Sequence, residues 1–138
     1  MAIVSPNTTN TTLIQDGQAD GAITAADVRT MNNSLAGLFA SVRTVSGTLV
    51  LTDFGTVVEM NSATAVNLTI PPNSSVAFDV FTMIGIRQLG NGQVTIVAGA
   101  GVTLRLPPLT AATTRGLYST VWIHQRATNE WVFAGDQT

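Results

Sequence analysis

The spacing of apolar residues changes character near residue 44. Between residues 23 and 41 (ITAADVRTMNNSLAGLFAS), Val28, Met31, Leu35 and Leu38 recur at intervals of three, four and three, the seam of a short amphipathic helix. Thr24 stands where it can cap the first turn. Asp27, three residues on, gives a short form of the capping box and suits the positive end of the helix dipole, and Ile23 and Val28 hold the two staple positions. Two heptads barely hold together alone in water, so this seam needs a folded body to bring its partners together.

From Thr44 onward the period is two. Val66, Leu68 and Ile70 alternate with Asn67 and Thr69, and Val102, Leu104 and Leu106 alternate with Thr103 and Arg105, as half-buried strands do. Turn formers separate the runs at short intervals: Asp53-Phe54-Gly55, Asn61-Ser62-Ala63, Pro71-Pro72-Asn73, Asn91-Gly92, Gly99-Ala100-Gly101, Pro107-Pro108 and Thr128-Asn129. The expected class is mostly β, a small antiparallel sandwich or barrel over residues 44–138. Asn91-Gly92 is its clearest tight hairpin and Ala127 to Glu130 the next.

One run breaks the alternation. In VAFDVFTMIGI, Val76 to Ile86, Phe81 and Met83 join the face opposite Phe78, Val80, Ile84 and Ile86, so both faces are apolar. Such a strand lies either between a sheet and a neighbouring subunit, with Phe81 and Met83 at the interface, or centrally under a loop.

Residues 1–22 read differently again. The stretch SPNTTNTTLIQDGQADGA offers only Leu13 and Ile14 to bury, too little to offset its own ordering entropy, and is expected to be an extended arm that orders against a partner.

Composition sharpens this picture. A chain of 138 residues supports one core. Hydrophobic residues make up 45% and charged residues 10%, against roughly 25% charge in an average domain, so much of the surface is expected to be covered by copies of the same chain. All six basic residues are arginine, scattered at 29, 43, 87, 105, 115 and 126 in a chain of net charge -2, which argues against nucleic acid as a partner. Without cysteine there is neither a disulfide framework nor a thiolate metal site. No apolar run approaches the roughly 20 residues that span a bilayer, so no membrane partner is expected. The start, Met1 to Pro6, lacks the charged and apolar regions of a signal peptide, and assembly in the cytoplasm is expected.

Candidate chemistry is sparse. His124, the one histidine, sits in a strand-like TVWIHQRA beside Val121, Trp122 and Ile123, and reads as a structural or surface residue with no catalytic role. The eight acidic residues form no pattern that marks a glycosidase pair. VAGAGV lacks the dinucleotide glycine spacing, and a chain without lysine cannot complete a Walker loop.

Asp16, Gln18, Asp20, Gly21, Ile23 and Asp27 fall at positions 1, 3, 5, 6, 8 and 12 of a calcium loop, with the Ala22 carbonyl also available. Gln at the third position, Asp at the twelfth and no preceding helix depart from that pattern. An arm followed by a capped helix explains the same residues, so no metal or other cofactor is assigned. Trp122, Trp131 and Tyr118 read as core or interface anchors before they read as a sugar platform.

The β portion, with its order of short strands, the Pro-Pro-Asn-Ser-Ser turn at 71–75, the Gly-Gln-Val-Thr strand start at 92–95 and the terminal Asn-Glu-Trp-Val hairpin at 129–132, resembles modules of virion appendage and decoration proteins of tailed bacteriophages. The resemblance covers residues 47–138. The segment ITAADVRTMNNSLAGLF is similar to attachment segments that often precede such modules.

What the resemblance implies is a non-enzymatic virion component, a homotrimer with a binding or cementing role. In the first reading it is a capsid decoration or head-fibre protein. Val28, Met31, Leu35, Leu38, Phe81 and Met83 then form the oligomer interface, and Leu13 and Ile14 anchor the arm to the major capsid protein or another virion protein. In the second it is a short tail-fibre or baseplate module, with loops 71–75 and 107–115 turned to the host surface and a glycan as a further partner. A third expectation, of another class, is a small carbohydrate-binding or carbohydrate-active protein.

Overall fold

The structure, a computed structural model, describes residues 41–138. The expected arm, the helical seam through Leu38 and the Asp16–Asp27 loop lie outside the described residues. The first described strand, Ser41–Arg43, already lies ahead of the change in period at Thr44.

The protein is mostly β, built as two stacked sheets. Among the described residues nine strands run in the order β1 Ser41–Arg43, β2 Gly47–Thr48, β3 Val57–Met60, β4 Val66–Ile70, β5 Met83–Gln88, β6 Val94–Ala98, β7 Thr103–Arg105, β8 Thr120–Ala127 and β9 Glu130–Gly135. A six-stranded sheet has the order β1-β3-β5-β8-β9-β7, and a three-stranded sheet the order β2-β4-β6.

Up to β6 the chain alternates between the two sheets, and each strand lies parallel to the one two before it. The result is a flattened coil. Val57 pairs with Gly85 and Val66 with Val94, the same interval of 28 residues in both sheets, whereas in the turn before it Ser41 pairs with Val58 and Gly47 with Leu68, at intervals of 17 and 21. Parallel neighbours need a long crossover, and here the strand in the facing sheet supplies it.

This corrects the expectation of antiparallel pairing throughout. Antiparallel ladders are confined to β5 with β8 and β8 with β9. Asn91-Gly92 is a corner between β5 and β6 in different sheets, not a hairpin. Its glycines serve close approach: a Cβ on Gly92 would lie 1.8 Å from the Thr64 carbonyl oxygen, and one on Gly90 would lie 2.0 Å from that of Ser62. Those backbones touch because corners of successive turns stack, with the Gly92 N–H donating to the Ser62 carbonyl at 2.8 Å. The Thr128-Asn129 hairpin does form between β8 and β9, with Asn129 at φ 60°.

The alternating positions stack in rows inside the coil. Val58, Ile86 and Val121 form one row of the larger sheet and Ile84, Ile123 and Phe133 another. Leu68 and Ile96 face them from the smaller sheet, and Trp131 meets Phe78 edge-on with ring centres 5.5 Å apart. Burying an aliphatic or aromatic side chain of this size contributes roughly 1.5–3 kcal/mol.

The two ends of the coil close differently. Beyond β6, the Ile96 N–H donates to the Ala112 carbonyl at 2.8 Å and the Thr114 N–H to that of Val94 at 3.0 Å, and the C-terminal Thr138 in turn brackets residues 111–113. This covers an edge that would otherwise template pairing. Among the described residues, β1 and β2 have no partner on their outer side.

Candidate functional site

The outward face of the larger sheet carries the most unusual surface. Gly85 on β5 lies opposite Val57 on one side and Trp122 on the other. A side chain at 85 would meet the indole at 3.0 Å and a Val57 methyl at 3.1 Å, so the indole lies across the glycine. The missing side chain lets Trp122 lie flat along the sheet with 42% of its surface open. One rung along, Met83 lies opposite His124, which lies opposite Val132.

Phe81 completes this face. Its ring stacks on His124, with centres 6.2 Å apart and planes 23° apart, and 77% of the residue is exposed. The backbone there has φ 74°, a conformation costly for a bulky residue. It persists because the surroundings hold it. The Phe81 N–H donates to the Gln125 carbonyl and the Gln125 N–H to that of Thr82, both at 2.8 Å. The buried Gln125 side-chain amide, oriented to donate, reaches the Phe78 and Asp79 carbonyls at 3.1 Å each.

The expected continuous strand from Val76 to Ile86 is therefore a held loop up to Thr82 followed by β5. Phe78 turns inward and Phe81 outward because the chain reverses at Phe81, not because a strand is covered on two sides. Met83 remains half exposed on the outer face beside it.

Leu51 and Phe54, both exposed, lie on the short 3-10 turn after β2, which is joined to the start of β5 by the Gly55 N–H donating to the Met83 carbonyl at 2.9 Å. With Asp79 and Thr82 they line a small cavity of about 190 Å³. Sequence reasoning missed these two residues. The available signal was an aromatic in the middle of the turn Asp53-Phe54-Gly55, where no inward-facing position exists.

Charge is neutralised locally. Arg43 pairs with Asp53, Arg87 with Glu59, Arg115 with Asp136, and both Arg105 and Arg126 with Glu130, so every arginine among the described residues has a carboxylate. Glu130 titrates below the ordinary carboxylate range. The hydrogen bond from Arg105 is the chief cause, opposed by desolvation and helped by the charge of Arg126. Among the described residues no three metal-ligating side chains converge.

Other expected residues scatter. Trp131 is 1% exposed and belongs to the core, so a platform of Trp122, Trp131 and Tyr118 does not form. Loop 71–75 is tied to the β8–β9 hairpin by the Asn73 N–H donating to Asn129 Oδ1 at 2.7 Å. Loop 107–115 carries the fully exposed Leu109 at φ 63° and then runs along β6. Val28, Met31, Leu35, Leu38, Leu13 and Ile14 lie outside the described residues. What the described surface can do is bury apolar area and offer neutral polar groups.

Searches of protein-family models, characterised proteins and solved structures find no match to this chain.

Proposed function

We propose that the protein is a non-enzymatic structural component of a bacteriophage particle that works as a homotrimer, in the first instance a capsid decoration or head-fibre protein. The observation that carries the reading is the apolar outer face of the larger sheet, where Phe81, Met83 and Trp122 lie exposed, with Leu51 and Phe54 exposed on the turn that leads into β3. Free aromatic side chains present roughly 150–250 Å² each, so this group leaves several hundred Å² open to water. That is the upper range for the largest patch of a typical monomer and approaches the roughly 800 Å² that one partner contributes to a standard interface.

Paired arginines support the same reading. Apart from Asp79, which is exposed without an arginine partner, the charges of the described surface are paired, so they present little steering field or uncompensated repulsion to an identical copy.

Sedimentation of the full chain at several concentrations tests the proposal. A single trimeric species that dissociates when Phe81 and Trp122 are replaced is expected; a monomer at all concentrations removes it. Copy number on purified particles then separates a head protein, present in hundreds, from a tail-fibre or baseplate module, present in a handful.

A further inference from the structure

A second surface, at the corner between β5 and β6, has different chemistry. The stacked corners after β3 and β5 and the loop before β8 enclose a groove of about 320 Å³, lined by Asn61, Leu89, Asn91, Leu117 and Tyr118 among others. Its floor is rigid, because Gly90 and Gly92 press on the backbone of Ser62 and Thr64 with no room for a Cβ.

Its wall is an aromatic ring held out into water. Tyr118 is 70% exposed and sits at φ 66°. The strained turn is locked on both sides: the Tyr118 N–H donates to the Gln88 carbonyl at 2.8 Å and the Gln88 N–H to that of Ser119 at 3.0 Å. Ser119 Oγ donates to Asp136 Oδ2 at 2.8 Å and accepts from the Gly116 N–H at 3.0 Å. An exposed aromatic kept in an unfavourable conformation by this many bonds is placed for contact rather than for packing.

We propose that this corner is a binding subsite for a neutral saccharide. Tyr118 offers an aromatic face to the C–H face of a pyranose ring. Asn61 and Asn91, both exposed, each offer an amide donor and acceptor to ring hydroxyls, and the two leucines cover the remaining apolar edge. No charged side chain lines the groove, which disfavours phosphates, metal ions and acidic sugars. The volume lies at the lower end of small-ligand sites and suits a mono- or disaccharide. Such a subsite would serve a head or a tail component equally, and needs no particular oligomer.

Tyr118 is the single tyrosine of the chain, so full-length protein grown with 3-fluorotyrosine gives one fluorine resonance from the site itself. Titration with neutral methyl glycosides of glucose, galactose, mannose, rhamnose and N-acetylglucosamine, and with lactose and maltose, should move that resonance saturably for at least one sugar. Asn91→Ala should weaken the response about tenfold, the loss of one hydrogen-bonding group to a ligand. Asn61→Ala provides the same reading on the other turn of the coil if Asn91→Ala fails to fold, and Trp122→Ala should leave the response unchanged. No saturable shift for any sugar at tens of millimolar overturns the proposal. So does a shift that survives both asparagine replacements, or one that Trp122→Ala alone abolishes.

Discussion

Arg43 and Asp53 are joined by two hydrogen bonds, at 2.6 and 2.8 Å, across the first turn of the coil. Arg43 occupies the row that Met60 and then Gln88 continue, so it points between the sheets where an apolar side chain would sit one turn later. Asp53 is buried and also accepts from the Val50 N–H at 2.8 Å, while Arg43 donates to the Thr48 carbonyl at 3.2 Å. The pair thus ties β1, the end of β2 and the 3-10 turn together where the apolar interior stops. Arg43→Met should cost about 3 kcal/mol, because it strands a buried carboxylate; replacing both residues by apolar ones should cost less than that single change. Urea unfolding of the three proteins measures the difference.

The stacked corners make glycine indispensable at some positions and merely convenient at others. Gly92→Ala would place a methyl group 1.8 Å from the Thr64 carbonyl oxygen, so the corner must open, and a loss of about 3 kcal/mol or more is expected. Gly101 has open space around it but φ 77°, so Gly101→Ala should cost only about 1 kcal/mol, the strain of a left-handed alanine. Equal effects in thermal unfolding would mean that the corners do not stack as described.

Period-two alternation, turn formers and the Thr128-Asn129 hairpin are local features, and the strands they mark are present. Sheet assignment is not local. Asn91-Gly92 reads as a hairpin because the sequence of a corner that needs small residues for backbone contact is the sequence of a tight turn that needs positive φ. The legible sign of a coil was the repeat at 28 residues, in which Val58, Val66 and Leu68 are matched by Ile86, Val94 and Ile96. It is weak because only inward positions repeat, while Asn61-Ser62-Ala63 and Leu89-Gly90-Asn91 share no residue. Phe81 and Met83 stood out from the sequence as apolar residues on an unexpected face. Trp122 did not separate from Trp131, since only the register places one over Gly85 and the other opposite Gln125.

Glu130 links Arg105 of β7 and Arg126 of β8, each at 3.1 Å. Because its carboxyl is depressed when folded, the stabilisation it gives is present above the unfolded-state value and fades as pH falls through the lower folded value. Arg105→Ala removes the chief cause, so the Glu130 carboxyl should titrate closer to the ordinary range, with Arg126 retaining part of the effect. Side-chain carbon shifts followed by NMR through the acidic range would show this directly, and an unchanged midpoint would contradict the pairing.

Phe81 offers the sharpest test of the proposed association, because there a contribution to association would come at the expense of stability. With φ 74° a phenylalanine is strained by roughly 1–3 kcal/mol, whereas glycine adopts the same conformation freely. The ring contributes little to the core, as it is mostly exposed and touches chiefly His124. Phe81→Gly should therefore leave each chain at least as stable as the parent, with the Gln125 bonds intact, while weakening self-association by tenfold or more, the usual size of a central aromatic anchor. Phe81→Ala keeps the strain and loses the ring, so it should weaken association equally and be less stable than the glycine variant. Denaturation of dilute monomer and sedimentation of concentrated protein give the two quantities separately. A glycine variant that unfolds readily would show that Phe81 supports the loop; one that associates like the parent would show that the oligomer forms elsewhere.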